Sequence, residues 1–325
     1  MKLPSHLRDH YATLDPDVRE ILEWNAQNAA PHNASVAELR RRHTEMAAVF
    51  DVVPAHVAST TDHTVPNTRQ PASIRIYDPV ETCTGGDGAA IFFAHGGAWV
   101  VGNVESHDNL CRQICAATGV KVISADYGMA PENPFPHQTQ DCICIYDWVL
   151  SKAADFGIKP EKIILCGDSS GANLVTVLSH ELKGRHGDMP IGQVLIYPSV
   201  ALSKHRDYPS WKTYPTGYLI GEASLARTIE HYLRNEADLT DPRVSPLLFE
   251  DFSGLPPALV ITAEHDPIRD GGREYAEKLI SAGVETHFLE CPGTIHGFMT
   301  YGKPWTEIER ALRQITTFVQ QSCLT

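Results

Sequence analysis

The sequence lacks an uninterrupted apolar run of the roughly 20 residues that cross a membrane, so no membrane span is expected. It is also short of positive charge: 27 Lys and Arg against 40 Asp and Glu give a formal net charge of −13. That balance disfavours nucleic acid and anionic membranes as partners. Residues 1–10 carry Pro4 and alternating charges rather than an apolar segment, so we expect no signal peptide and a cytoplasmic location.

Cysteine is scarce as well, with eight in 325 residues, which is too few for a disulfide scaffold. Most lie inside apolar or helical patterns, and reduced thiols are the simpler interpretation. Neither Cys142 and Cys144 nor Cys111 and Cys115 has a second pair at the spacing of a zinc site. We therefore expect no metal and no cofactor.

Strand and helix patterns alternate through most of the chain. Predicted strands cover residues 73–77, 89–94, 120–125, 162–166, 193–197, 258–263 and 286–289, and predicted helices cover 109–118, 138–154 and 273–281. Several of the strands are apolar throughout, which is typical of strands buried on both faces. The alternation predicts an α/β fold with a mostly parallel sheet and helices on both of its faces.

Two segments interrupt this alternation. Residues 1–60 begin with two helical patterns, marked by Asp15 before Pro16 and by Ser35 three residues before Glu38. Residues 202–245 follow a strand and are rich in aromatic side chains. We predict that these two segments form one helical cap over a core of residues 61–201 and 246–325; the alternative for 202–245 is a surface excursion with its own small core.

The segment from Gly167 to Gly171 reads Gly-Asp-Ser-Ser-Gly between an apolar strand and an apolar helix. Strand, sharp turn and helix form the context of a nucleophile elbow, in which the central serine is exposed above the sheet. Ser169 is therefore the candidate nucleophile. The sequence after the strand at 89–94 contains two consecutive glycines, Gly96 and Gly97, which would let backbone amides turn into the site as oxyanion donors, together with the amide of Ser170.

An acid and a base are expected after later strands, in the chain order serine, acid, histidine. Asp266 follows the strand at 258–263, and His296 follows the last strand through a Cys-Pro-Gly loop. A neutral imidazole at His296 can accept the serine proton, and a carboxylate at Asp266 can fix its tautomer. Rival acids are Glu264 and Asp270, and weaker rival bases are His95 and His265.

The chain resembles the bacterial hormone-sensitive-lipase-like esterases of the α/β-hydrolase fold. The matching motifs, spread over nearly the whole chain, are 95–97, 126–136, 167–171, 241–246, 266–270 and 296–298. The resemblance implies a catalytic triad of Ser169, Asp266 and His296. It also implies an oxyanion hole from the amides of Gly97, Ala98 and Ser170 with Gly96 shaping the loop, a cap built from both helical segments, and a possible homodimer.

The chain departs from the family pattern at three positions. Ala98 stands where a third glycine is usual, Ser170 where alanine is usual, and Gly128 where arginine is common. A positive φ is harder to adopt at Ala98, the Ser170 hydroxyl offers an extra hydrogen bond, and an ion pair is missing at Gly128. No catalytic group is lost.

The resulting prediction is a carboxylic ester hydrolase that forms an acyl-enzyme with small-molecule short to medium acyl or aryl esters. Candidate substrate-pocket residues are Trp99, Asp168, Tyr208, Trp211 and Tyr214. A lactone hydrolase or an amidase on the same triad is the alternative. A non-catalytic receptor-like relative is disfavoured, because such receptors have lost the histidine that is present here as His296.

Overall fold

A computed structural model describes residues 12–28, 30–31, 34–50, 53–66, 68, 72–185, 189–301 and 306–324. The strands are β1 (Ser59–Val65), β2 (Ala72–Asp78), β3 (Ala90–Ala94), β4 (Lys121–Asp126), β5 (Ile163–Asp168), β6 (Gly192–Ile196), β7 (Ala258–His265) and β8 (Thr286–Ile295). The helices are α1 (Pro16–Asn28), α2 (Val36–Phe50), α3 (Asp108–Thr118), α4 (His137–Ser151), α5 (Ser170–Lys183), α6 (Pro209–Thr213), α7 (Glu222–Tyr232), α8 (Arg269–Ser281) and α9 (Thr306–Leu324).

The strands form one sheet in the order β1-β2-β4-β3-β5-β6-β7-β8. β1 and β2 pair antiparallel with their neighbours, and every pairing from β4 to β8 is parallel. The carboxyl ends of β5, β7 and β8 therefore meet at one edge, where ligands bind in open α/β sheets. The predicted α/β architecture with a mostly parallel sheet is confirmed.

Apolar side chains of the central strands alternate between the two faces. In β3, Ala90 and Phe92 pack into one core cluster with α4, α5 and α8, while Ile91 and Phe93 pack into the other with α1, α3 and α9. A strand covered on both faces must be apolar at successive positions, which is why these strands lack a polar alternation.

Three boundaries differ from the sequence-based expectation. The sequence predicts no strand before residue 73, but β1 is an edge strand of polar residues that are mostly exposed, so no apolar alternation marks it. It starts at Ser59, two residues before the predicted boundary between cap and core. β8 continues through the predicted Cys-Pro-Gly loop to Ile295, with a register shift against β7 and Gly293 at φ +68°, so His296 follows a strand directly.

Residues of the two helical segments line clefts that also contain Ser169, Gly97 and Ala98. The predicted helix starts are confirmed: the Asp17 amide donates to Asp15 Oδ1 at 2.9 Å, and the Glu38 amide donates to Ser35 Oγ at 3.2 Å. The remainder of the predicted 1–60 segment includes residues 1–11, which lie outside the described residues. Within the described ranges, no helix combines the length and apolar character needed to cross a bilayer.

Candidate active site

Ser169 occupies the sharp turn between β5 and α5. Its backbone adopts φ 53° and ψ −118°, a strained conformation for a residue with a side chain. The turn brings backbone atoms so close that neither flanking position can carry a Cβ. A Cβ on Gly167 would lie 2.6 Å from the carbonyl of Gly171, and one on Gly171 would lie 2.0 Å from the carbonyl oxygen of Ala94. The two glycines are thus required by the geometry that exposes the serine oxygen.

Three side chains from the ends of three strands meet at this turn. Ser169 Oγ lies 2.8 Å from His296 Nε2, and His296 Nδ1 lies 2.8 Å from Asp266 Oδ2. The other carboxylate oxygen, Asp266 Oδ1, accepts the amide of Ile268 at 2.9 Å. Asp266 is fully buried and His296 nearly so. A hydroxyl, an imidazole and a carboxylate in this chain of contacts can move a proton from the serine to the histidine.

The rival acids have other partners. Glu264 accepts the amide of Gly293 at 2.7 Å, and Asp270 accepts the amide of Ser210 at 2.8 Å and pairs with Arg269. The rival bases lie elsewhere too. His95 is buried with Nδ1 2.8 Å from the carbonyl of Gly96, and burial, aided by the charge of His107, lowers its pKa to about 3.

The loop after β3 turns with three successive residues at positive φ: Gly97 at 118°, Ala98 at 54° and Trp99 at 58°. A Cβ at Gly97 would lie 1.9 Å from the carbonyl oxygen of Val101, so only glycine fits. Among the described residues the amides of Gly97 and Ala98 have no acceptor. Ser170 is the first residue of α5, where helix amides lack intrahelical acceptors. The geometry leaves these three amides available to an oxyanion.

Gly96, predicted with the same group, is engaged differently. Its amide donates to Asp168 Oδ1 at 2.7 Å, and a Cβ there would lie 2.5 Å from Asp168 Oδ2. Asp168 is buried and also lies 3.3 Å from His107 Nε2. Burial raises the pKa of Asp168, but the charge and hydrogen bond of His107 and the Gly96 amide outweigh it and hold the pKa below its usual value.

The hydroxyl of Ser170 accepts the amide of Trp99 at 3.3 Å, which is the extra hydrogen bond expected at this position. The indole of Trp99 stacks on Tyr232 at the end of α7, with centroids 4.2 Å apart and planes at 2°. At Gly128, the third departure, the backbone amide donates to Asp141 at 3.0 Å. The contacts of Trp99 thus fix the loop next to Ser169 both to α5 and to α7.

Two clefts flank Ala98. The first, of about 660 Å³ including its open mouth, contains Ser169 and His296 and has no charged residue in its lining. Its walls are mainly apolar and aromatic: Trp99, Val200, Ala201, Leu202, His205, Tyr208, Trp211, Ile220, Leu225, Thr228 and Ile268.

The second cleft, of about 1000 Å³ measured in the same way, runs between α1, α2 and α7 on the other side of the loop. The described residues of its lining include Gly97, Ala98 and two arginines, Arg42 and Arg227, and none of them is acidic. The two clefts meet at Ala98, Ser224 and Thr228.

Of the five predicted pocket residues, the structure places Trp99, Tyr208 and Trp211 in the first cleft. Asp168 does not line it, because its carboxylate points beneath the loop to Gly96 and His107. Tyr214 does not line it either; its ring packs edge-on against Tyr218 and His265. Sequence reasoning missed His107 and the lining residues of α7, since one histidine among sixteen and an ordinary amphipathic helix carry no distinguishing signal.

The chain is similar to known proteins in both sequence and structure. A family model described as an alpha/beta hydrolase fold matches residues 91–300. The chain is 34% identical to an ethyl acetate hydrolase of Pseudomonas putida, over 95% of this chain and 99% of the relative. It is 34% identical to an arylesterase of Saccharolobus solfataricus, over 94% and 96%. A solved alpha/beta hydrolase enzyme from the metagenome of Lake Arreo superposes with a TM-score of 0.90 at 31% identity, over 97% of this chain and 100% of that one.

Proposed function

We propose a mechanism for this chain, which belongs to the α/β hydrolase fold family, among its hormone-sensitive-lipase-like esterases. It is a serine carboxylesterase that acts on small-molecule esters. Ser169 is the nucleophile, His296 the general base and acid, and Asp266 the residue that orients the imidazole. The observation that supports this assignment is the pair of 2.8 Å contacts that joins Ser169 to His296 and His296 to Asp266.

In the acylation step Ser169 Oγ attacks the ester carbonyl while His296 Nε2 takes the hydroxyl proton. Asp266 keeps the other imidazole proton on Nδ1, which leaves Nε2 free to accept. The amides of Gly97, Ala98 and Ser170 receive the negative charge that develops on the carbonyl oxygen. His296 then passes its proton to the departing alkoxide, and the acyl group remains on Ser169.

In the deacylation step a water molecule gives its proton to the same Nε2 and attacks the acyl-enzyme. The tetrahedral intermediate again places its oxygen at the three amides. Collapse returns the proton to Ser169 and releases the acid. Because the base must be neutral at the start of each step, the rate is expected to rise with pH.

The substrates we propose are short to medium acyl esters or aryl esters. The first cleft supports this, since it reaches Ser169 and carries apolar and aromatic walls without a charged side chain. An apolar acyl or aryl group gains free energy on leaving water there. The relatives are named as an ethyl acetate hydrolase and an arylesterase, which agrees with small ester substituents.

We further propose that the described part of the first fifty residues and the 202–245 segment act together as a cap. They face each other across the second cleft, where α1 and α2 on one side oppose α7 on the other. The predicted homodimer and the predicted cytoplasmic location remain predictions.

Covalent labelling tests the nucleophile directly. A p-nitrophenyl alkylphosphonate is expected to release one p-nitrophenol per chain and to leave the phosphonyl group on Ser169, located by peptide mass spectrometry. Ser170→Ala is the matched control, because it removes the adjacent hydroxyl and keeps the proposed nucleophile. A label on another residue would contradict the assignment. Turnover of p-nitrophenyl esters of increasing chain length, aryl esters and lactones then ranks the substrate classes.

A further inference from the structure

One arginine in the second cleft, Arg227, has no hydrogen-bond or ion-pair partner among the described residues. Arg227 lies on α7, and its Nη1 atom is buried without a hydrogen-bond acceptor. Every other arginine in the described ranges contacts a carboxylate or a backbone carbonyl; Arg42, in the same cleft, pairs with Glu38 at 2.7 Å. A buried guanidinium N–H without an acceptor is costly in free energy. Arg227 therefore lines the cleft with a guanidinium whose charge no carboxylate of the described residues pairs.

The position of this donor relates it to the reaction. The cleft that Arg227 lines also contains Gly97 and Ala98, whose amides we propose as oxyanion donors, and it meets the first cleft at Ala98, Ser224 and Thr228. An ester held with its carbonyl oxygen at these amides has two substituents. One can enter the apolar first cleft, and the other is directed to the second cleft.

The chemistry of the two clefts differs. Among the residues that the structure describes, the lining of the first cleft has no Asp, Glu, Lys or Arg, whereas the lining of the second has two arginines and no Asp or Glu. The His43 imidazole in the second cleft stays neutral at pH 7, because burial together with the charge of His107 lowers its pKa to about 4. Since Arg42 pairs with Glu38, Arg227 is the arginine of this cleft whose charge is left for a ligand.

We propose that Arg227 binds a carboxylate on the substrate, so that the preferred substrates are esters with an apolar group on one side and an anionic group on the other. This inference rests on the proposed function of Ser169. A guanidinium is suited to the task because its planar fork donates two parallel hydrogen bonds to a carboxylate. The chain carries a net charge of −13, so the selection acts by contact within the cleft rather than by long-range attraction of anions.

The test compares anionic esters with neutral esters of nearly the same shape. With the anion on the alcohol side, 4-carboxyphenyl butyrate is compared with 4-carbamoylphenyl butyrate. With the anion on the acyl side, the p-nitrophenyl monoester of adipic acid is compared with that of adipamic acid. The readout is the ratio of kcat/KM for the anionic ester to kcat/KM for its neutral partner, which reports the charge contact and cancels general damage.

For at least one pair the wild-type ratio is expected to exceed one. Arg227→Gln is expected to lower that ratio about 10- to 100-fold, because a hydrogen bond to a charged group usually contributes a factor of this size to binding. Arg227→Lys keeps the charge without the fork, so its ratio should lie in between. Arg313→Gln is the matched control, since it removes the same charge from an exposed pair on α9 and should leave both ratios unchanged.

Two outcomes would overturn the inference. One is a wild-type ratio no greater than one in both pairs, and the other is a ratio that Arg227→Gln leaves unchanged in both pairs. Equal losses for both members of each pair would indicate a structural role. Failure of the proposed function has a different signature. If Ser169→Ala hydrolyses the neutral esters as fast as the wild type, the nucleophile is wrong, whatever the ratios are.

Discussion

Asp266→Asn separates the proposed acid from its rivals. The two oxygens of Asp266 have different partners: Oδ1 accepts the Ile268 amide, and Oδ2 faces His296 Nδ1. An asparagine that keeps its oxygen on the Ile268 amide turns its NH2 group to His296. That group donates, so Nδ1 must accept, and the imidazole proton moves to Nε2. In this tautomer Nε2 cannot take the Ser169 proton.

The expected loss in kcat is about 10⁴-fold, which corresponds to about 5.5 kcal/mol in the activation barrier. The fold should survive, because the exchange preserves the volume of a fully buried side chain and the hydrogen bond to Ile268. Steady-state hydrolysis of p-nitrophenyl butyrate measures the first quantity, and a thermal melt checks the second.

Glu264→Gln and Asp270→Asn are the matched controls, since each removes one nearby carboxylate charge. The side-chain oxygen of the new residue can still accept the amide of Gly293 or Ser210, respectively, so kcat should change little. If Glu264→Gln were more damaging than Asp266→Asn, the acid would have to be reassigned to Glu264. A wild-type rate for Asp266→Asn would refute the tautomer argument itself.

Three further predictions follow from the same geometry. Ser169→Ala should lower ester turnover by about 10⁴-fold or more with an unchanged melt, and retained turnover would exclude this serine as nucleophile. Gly97→Ala should lower kcat by about 10²- to 10³-fold, because its Cβ would meet the Val101 carbonyl oxygen at 1.9 Å and displace an oxyanion donor; a wild-type kcat would remove Gly97 from the oxyanion hole. His95 is held neutral with its pKa lowered to about 3, so its contribution to stability is complete above about pH 6.5, where the unfolded form is also neutral, and declines as the pH falls towards 3. Urea midpoints should therefore decrease between pH 6.5 and 4, with about 3 kcal/mol of the loss in stability arising from His95, and His95→Gln should flatten this decline.

The fold and the candidate triad could be predicted from the sequence because both depend on local patterns. The turn around Ser169 needs glycine on both sides, and strand-ending positions put Asp266 and His296 at the same edge of a parallel sheet. These constraints act over a few residues, so they are visible without coordinates.

The substrate side could not be predicted in the same way. Arg227 and Thr228 occupy an amphipathic helix, and only the docking of that helix decides which of its side chains reach a cleft. The contact of His107 with Asp168 joins residues far apart in the chain. The sequence does not predict β1, because a solvent-exposed edge strand has no apolar face and therefore no alternation of apolar and polar residues.

Arg40, on α2, connects the first helices to the loops beside the candidate active site. Its guanidinium donates to the carbonyls of Val100 and Ala130 and to the carboxylate of Glu132, on the two loops that surround the stacked Trp99. A shortened chain that began after α2 would leave these carbonyls facing solvent. It would also lack the hydrogen bonds of Arg40 that hold the loop after Gly97. Residues of α2 therefore help to hold the loop beside the proposed oxyanion donors, and a truncation that removes this helix is expected to lower esterase activity.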